Sequence, residues 1–257
     1  MPEPANRREL MVACAAREIR DGDVVFVGMR LPLLAFALAT ATHAPRALGL
    51  FENGIMRDSP PAAPVVTMSD GPNHEGALLT GPMSRVMALL AAGRVDAGFL
   101  GGAQVDRHGN LNTTRIGPAD APAVRLPGSG GGADIASAAR RLLLVMAHEP
   151  RRFVRRVDHR TSPAYGDGRG WRARAGLPPL ESVTLITTRA VMRATEESDG
   201  FTLASVHAGE DARAVAADTP FGGPPPPDDV PPTTAPDAAT LAAIRGLDPQ
   251  RFWTGAA

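Results

Sequence analysis

Residues 47–55, Ala47-Leu48-Gly49-Leu50-Phe51-Glu52-Asn53-Gly54-Ile55, run from an apolar strand directly into an Asn-Gly turn. Both turn residues tolerate positive φ, so the dipeptide is a strong punctuation mark. The stretch therefore predicts a buried strand that delivers Glu52 to the edge of a sheet, on rigid backbone, with the chain leaving sharply behind it. That setting suits a nucleophile or a base. Taken alone it also describes an ordinary solvated turn carboxylate, so the weight falls on what surrounds it.

Outward from this strand the same grammar repeats. Asn6 and Glu9 read as a capping pair for a helix whose apolar positions Met11, Cys14, Ala15 and Ile19 recur at helical spacing. Val24-Val25-Phe26-Val27 is a short apolar strand, and Leu33 to Ala41 a second helix. Residues 57–76 read as loop around one short strand near Val65-Val66. A helix from Met83 to Ala92, a strand Ala97–Leu100, a strand Ala123–Leu126, a helix from about Asp134 to Arg140 and a strand Leu142–Ala147 follow. Short buried strands alternating with helices predict an α/β fold, an open and mainly parallel sheet with helices on both faces.

Residues 1–257 are expected to form a single domain, with its core over about 1–160 and additional strands and an arm over about 177–257. Arg151 to Gly176 is a basic, Gly-rich excursion. Val183–Thr188 and Phe201–His207 read as strands, Asp211–Ala217 as helix. The proline-rich run 222–236 is expected to lie extended over a surface. Asp237 is a plausible N-cap for a last helix through Arg245.

Composition narrows the functions. The 27 basic and 27 acidic side chains cancel, so no global field draws nucleic acid or an anionic membrane. Every basic residue is Arg, which excludes a Schiff-base or P-loop lysine from this chain. The lone Cys14 sits on the apolar side of its helix, as a core thiol does, and fits a reducing cytoplasm. No window approaches the roughly 18 apolar residues of a membrane span, so the expected location is cytoplasmic. The six histidines are scattered without metal-ligand spacing, so no metal is expected.

Two further motifs accompany Glu52. The segment Gly101-Gly102-Ala103-Gln104-Val105-Asp106-Arg107-His108-Gly109-Asn110-Leu111-Asn112 begins where a buried strand ends, the ligand side of open α/β sheets. Gln104, Asn110 and Asn112 offer neutral donors there, and His108 reads as an exposed turn residue. Pro127-Gly128-Ser129-Gly130-Gly131-Gly132-Ala133-Asp134 joins a strand to a helix and allows close backbone approach, with N–H groups aimed one way. It reads as an anion site or as a plain flexible connection. The run also fits a Gly-x-Gly-x-x-Ala dinucleotide pattern with Glu149 beyond it, although its mid-chain position and Pro150 speak against that. Pro127 in the first glycine position likewise weakens a Ser129 hydrolase elbow.

In order and spacing, these three motifs resemble the beta subunit of family I CoA-transferases, especially the glutaconate CoA-transferase type. Glu52-Asn53-Gly54 resembles the catalytic motif, Gly102–Asn112 the central segment, and Gly128-x-Gly130-Gly131-x-x-Asp134 the glycine loop. The similarity continues through Phe153–Asp158, Leu203–Gly209 and Leu241–Pro249. Two departures stand out: Phe51 precedes the Glu where a small residue is usual, and 157–176 is longer and more basic. Either could reshape an acyl pocket.

The resemblance implies that Glu52 attacks an acyl-CoA thioester to give a glutamyl anhydride. A glutamyl-CoA thioester follows, which an acceptor carboxylic acid resolves. It implies substrate contacts at Asn53, Gly54, Gln104 and Gly128, oxyanion donors at the Gly130 and Gly131 N–H groups with Asn112 assisting, an alpha subunit as partner, and CoA as substrate with no resident cofactor. A carboxylate also makes chemical sense. It is already ionised at neutral pH and needs no base, and an anhydride keeps the acyl group activated where a serine ester would trap it. Two other readings remain: a CoA-ester ring-cleaving hydrolase subunit of the same fold, whose beta subunits lack this glutamate, and a non-catalytic CoA-ester-binding subunit.

Overall fold

The computed structural model describes residues 3–198, 200–221, 226 and 229–255. The chain divides into two compact units, Met1–Phe99 with Thr234–Ala257, and Leu100–Thr233.

The first unit opens with α1 (Arg7–Arg17). Its capping box is formed as expected: the Asn6 side chain accepts from the backbone of Arg8 and Glu9, and Glu9 accepts from Asn6 N. β1 (Val24–Val27), α2 (Leu31–Ala41) and β2 (Leu48–Phe51) follow, and β1 pairs in parallel with β2 in the register Val27 to Phe51. β3 (Ile55–Arg57) returns antiparallel to β2. Then come a short α3 (Gly71–His74), β4 (Leu79–Thr80) antiparallel to β3, α4 (Met83–Ala91), and β5 (Ala97–Leu100) parallel to β1. The helix Ala238–Leu247, capped by Asp237 as the sequence predicts, packs with α1 and α2.

The core is built by close approach of helix to strand. At Gly49 the Phe36 ring lies so near β2 that a Cβ would stand 2.6 Å from it. Phe36 meets Phe51 edge-on, centroids 6.1 Å apart, and Phe51 is buried. The aromatic residue before Glu52 therefore belongs to the core and anchors the strand that carries the carboxylate.

In the second unit, β6 (Gln104–Asp106) and β7 (Leu111–Asn112) form a hairpin, and β8 (Arg115–Ile116) pairs with β9 (Val124–Arg125) as a small ribbon. The ribbon corrects the expectation of a buried strand at 123–126, since Val124 is exposed. α5 (Gly132–Ala138) leads to β10 (Arg141–Met146). β11 (Phe153–Val154) joins β6 in parallel, and a short α6 (Trp171–Arg174) closes the excursion. β12 (Ser182–Thr187) runs parallel to β10 over its whole length. β13 (Ala190–Ala194) and β14 (Thr202–Val206) add antiparallel, and α7 (Ala212–Ala217) is capped by Asp211.

The α/β class thus holds: each unit has parallel pairs, β1 with β2 and β5 in the first and β10 with β12 in the second, and antiparallel hairpins beyond them. The 157–176 excursion is irregular but fastened. Arg172 is buried and donates to the carbonyls of Ala136, Ser137, Ala164 and Pro178, so this basic residue clasps backbone. No strand forms at Val65-Val66, because the Asp70 carboxylate gathers the N–H groups of Val66 and Thr67 into a turn. Of the proline-rich run, 222–225 and 227–228 lie outside the described residues. Farther along, Pro231 to Thr233 run beside Val206, whose N–H donates to Pro231 and whose carbonyl accepts from Thr233. No helix among the described residues is long and apolar enough to cross a membrane.

Candidate active site

In the first unit, Glu52-Asn53-Gly54 is the connection between β2 and β3. Gly54 N–H donates to Phe51 O at 2.9 Å and closes the turn with Glu52 and Asn53 at its tip. Gly54 has φ +97°, a region natural only to glycine. A Cβ there would overlap the Gly81 carbonyl oxygen, while Gly81 N–H donates to Gly54 O at 3.1 Å. The segment after β4 is thus pressed directly against the turn, and only glycine permits it.

Asn53 is the second fastening. Its amide donates to Met68 O at 2.9 Å and to Ser69 Oγ at 3.2 Å, and its Oδ1 accepts from Ile55 N. The same loop is held by the buried Arg57, whose guanidinium donates to the carbonyls of Ser59, Pro60 and Asn73. Asn53 and Gly54 therefore set the shape of the turn, and the half-buried Glu52 is the one carboxylate at its tip. Because β1 and β2 are parallel and in register, the Gly28-Met29-Arg30 loop leaves the sheet at the same end as Glu52.

In the second unit, the expected neutral donors turn inward. The Asn112 amide donates to Gln104 Oε1 at 2.8 Å and to Arg115 O at 2.6 Å, and its Oδ1 accepts from Thr114 N. Gln104 in turn donates to Asp158 Oδ2 and accepts from Asp158 N. Both side chains are buried, and both amide hydrogens of Asn112 are occupied within the protein. Asn110 does the same one pair along. It donates to the buried Asp106 carboxylate and to Gly166 O, and accepts from Ala164 N and Gly166 N. Burial pushes the Asp106 carboxyl up, against the N–H groups of Asn110 and His108 that hold it down. The motif pins the 158–170 excursion to the hairpin.

The glycine loop lies next to this network. Gly128 N–H donates to Thr113 O at 2.8 Å, one residue beyond Asn112. Gly128 and Gly130 take φ of +100° and +48°, Gly130 is exposed, and Gly131 is the N-cap of α5. Gln104, Asn112 and Gly128 are thus joined in one scaffold. Sequence reasoning missed the inward role of Asn110 and Arg172; the pairing Asp106…Asn110 across a Gly109 with φ +78° was the legible sign of a tight buried turn.

The first unit thus holds a carboxylate on a tightly closed turn at the end of the parallel strands β1 and β2. The sequence matches the coenzyme A transferase family over residues 8–216. It is 36% identical over 241 residues to the B subunit of 3-oxoadipate CoA-transferase from Pseudomonas knackmussii, covering 93% of this chain and 92% of that one. It is 33% identical to the B subunit of glutaconate CoA-transferase from Acidaminococcus fermentans, covering 94% and 92%. The crystal structure of glutaconate CoA-transferase from that organism superimposes with a TM-score of 0.88 at 30% identity, over 99% of this chain and 100% of that one. The decarboxylase AibA/AibB follows at 0.82 and 30% identity, over 98% and 99%. The chain belongs to the coenzyme A transferase family. Within it, the chain is of the beta type.

Proposed function

We propose that this chain, paired with an alpha-type subunit, moves CoA from an acyl-CoA to a free carboxylic acid through covalent intermediates on Glu52. A carboxylate oxygen of Glu52 attacks the thioester carbonyl; the C–S bond breaks, and CoA thiolate leaves a mixed anhydride. The thiolate then attacks the glutamyl carbonyl of that anhydride, releasing the donor acid and leaving a glutamyl-CoA thioester. The acceptor carboxylate attacks this thioester, and the thiolate returns to the acceptor's acyl carbon, restoring Glu52. No resident cofactor is needed, since CoA is itself substrate.

The observation that carries the reading is the Gly54–Gly81 contact, which holds one carboxylate at a turn tip with no freedom for the backbone beneath it. In this proposal Asn53 and Gly54 fix the nucleophile. The N–H groups of Gly130 and Gly131 receive the developing oxyanion, each worth roughly 3 kcal/mol in the transition state. Gln104, Asn112 and Gly128 hold the glycine loop in shape. The relatives named for 3-oxoadipate and glutaconate point to a dicarboxylic acyl group.

The test is to co-express the chain with its alpha-type partner, incubate with an acyl-CoA and map adducts by mass spectrometry, comparing Glu52→Gln. Transfer requires an acyl or CoA adduct on Glu52 that the variant lacks. Turnover without an acceptor acid would instead mark a hydrolase, and undiminished turnover by the variant a non-catalytic subunit.

A further inference from the structure

Arg30 is the first of only two non-glycine residues with positive φ among those described; the other is Arg251. With φ +68° and ψ −127°, Arg30 occupies backbone territory that costs an L-residue free energy and that glycine would fill without strain. Strain of this kind persists where the side chain it presents has a use. The two residues flank one structure. The Arg30 guanidinium lies over the Trp253 ring, 5.5 Å from its centroid, and Trp253 follows Arg251 by two residues.

That indole is firmly held. Asp248 is buried, and its carboxylate accepts from the N–H groups of Phe252, Trp253 and Thr254 and from the Thr254 hydroxyl. From α1, Arg8 donates to Gly255 O, and Asn6 to Thr254 O. Phe252 packs edge-on against Trp253 at 4.6 Å. The C-terminal turn is thus built to present an aromatic face to Arg30.

A guanidinium lying over an aromatic ring can still donate from the N–H groups turned away from it. Among the described residues, Arg30 has the indole as its partner and no carboxylate, and the Trp253 Nε1–H is buried without an acceptor. Two neighbouring donors therefore lack an anion. Arg30 is three residues beyond Val27, the register partner of Phe51, and adjacent strands lie about 4.8 Å apart. The cation emerges at the same sheet end as Glu52, from the next strand.

We propose that Arg30 selects dicarboxylic acyl groups by pairing with the carboxylate at the far end of the chain from the thioester. The proposal rests on Glu52 being the acyl acceptor. A substrate with a second carboxylate brings a fixed negative charge toward the negative Glu52, and a nearby cation offsets that repulsion. A monocarboxylic acyl chain would leave the arginine edge to water. Trp253 is a positioning residue, holding the guanidinium in one plane so that its fork matches a carboxylate.

The test uses the assembled enzyme with its alpha-type partner and compares glutaryl-CoA with pentanoyl-CoA, which share chain length and differ in the terminal carboxylate. Arg30→Gln is expected to lower kcat/KM for glutaryl-CoA about 100-fold while changing that for pentanoyl-CoA less than about threefold. Arg30→Gly should lose the same selectivity while unfolding at an equal or higher temperature, because it relieves the backbone. Trp253→Leu should erode selectivity by roughly tenfold. Equal losses on both substrates would overturn the proposal, pointing to a CoA-phosphate contact or a structural role, and so would unchanged selectivity. The Glu52 adduct with either acyl-CoA is read in the same samples. If wild type forms none, it is the acyl-transfer reading that fails; if it forms in wild type and in Arg30→Gln, the arginine is judged on its own.

Discussion

The turn between β2 and β3 and the hairpin of β6 and β7 each bring an acidic residue, a Gly and an Asn together within a few positions. Their polar groups are placed differently. In the first, the Asn53 amide and backbone groups fasten the turn, and the half-buried Glu52 stands at its tip. In the second, Gln104, Asp106, Asn110 and Asn112 are all buried and hydrogen-bonded to one another or to backbone. A motif rich in Asn and Gln is equally consistent with grasping a ligand and with satisfying a buried loop. Only an inventory of which N–H meets which acceptor separates the two.

The largest expected effect breaks the comparison at its first member. Glu52→Gln should lower kcat about 10,000-fold or more, as loss of a covalent nucleophile does, while the thermal unfolding midpoint stays within a degree or so. A large drop in unfolding temperature would instead mark Glu52 as a fastening like its neighbours. Gly54→Ala should act on both properties. Its methyl meets the Gly81 carbonyl at a positive φ, so a loss of about 3 kcal/mol in urea unfolding is expected together with severe loss of turnover. Retention of wild-type stability would mean the turn can move away from the Gly81 segment.

The second member is tested by Asn110→Ala and Asn112→Ala. Each leaves buried acceptors or donors unmatched: Asp106 and Gly166 in one case, Gln104 and Arg115 in the other. Denaturant unfolding should report about 2–4 kcal/mol lost per variant. The folded fraction should keep kcat/KM within roughly an order of magnitude, a modest cost passed on through the glycine loop. Intact stability with collapsed kcat for Asn112→Ala would return that residue to direct contact with the reacting oxygen.

Much of this is legible in the sequence. Strands β1, β2, β5, β10 and β12 and the caps at Asn6 and Asp237 follow from local pattern, because each is decided by residues within one turn or one strand. What sequence could not supply were contacts closing over long spans. The Gly54–Gly81 approach, the clasp of Arg172 on Ala136 and Pro178, and the stack of Arg30 on Trp253 each join residues whose separation carries no periodicity. Phe51 shows the same limit. As a departure from the family pattern it suggested an altered pocket, yet its partner Phe36 lies on a helix fifteen residues earlier and draws it into the core. The strand β13 was missed because its mixed residues lack alternation; Thr187 Oγ1, accepting from Arg189 N and Ala190 N, makes the reversal that starts it.

The smallest effect concerns the second unit's habit of using polar groups internally. His148 is buried against Phe153, its ring nitrogens facing the hydroxyls of Thr187 and Thr219. Burial, with Arg189 nearby, lowers its pKa to about 4. An imidazole held neutral in the fold but free to protonate when unfolded makes the unfolded state bind more protons between about pH 6.5 and 4. Its contribution to stability is therefore complete above about pH 6.5 and lost progressively as the pH falls toward 4. Urea midpoints measured across that range should decline for wild type and flatten in His148→Gln, whose amide never titrates. Asp106, with its carboxyl pushed up, works in the opposite sense, since its protonated form is favoured in the fold. Asp106 therefore offsets part of the acid decline that the neutral His148 produces.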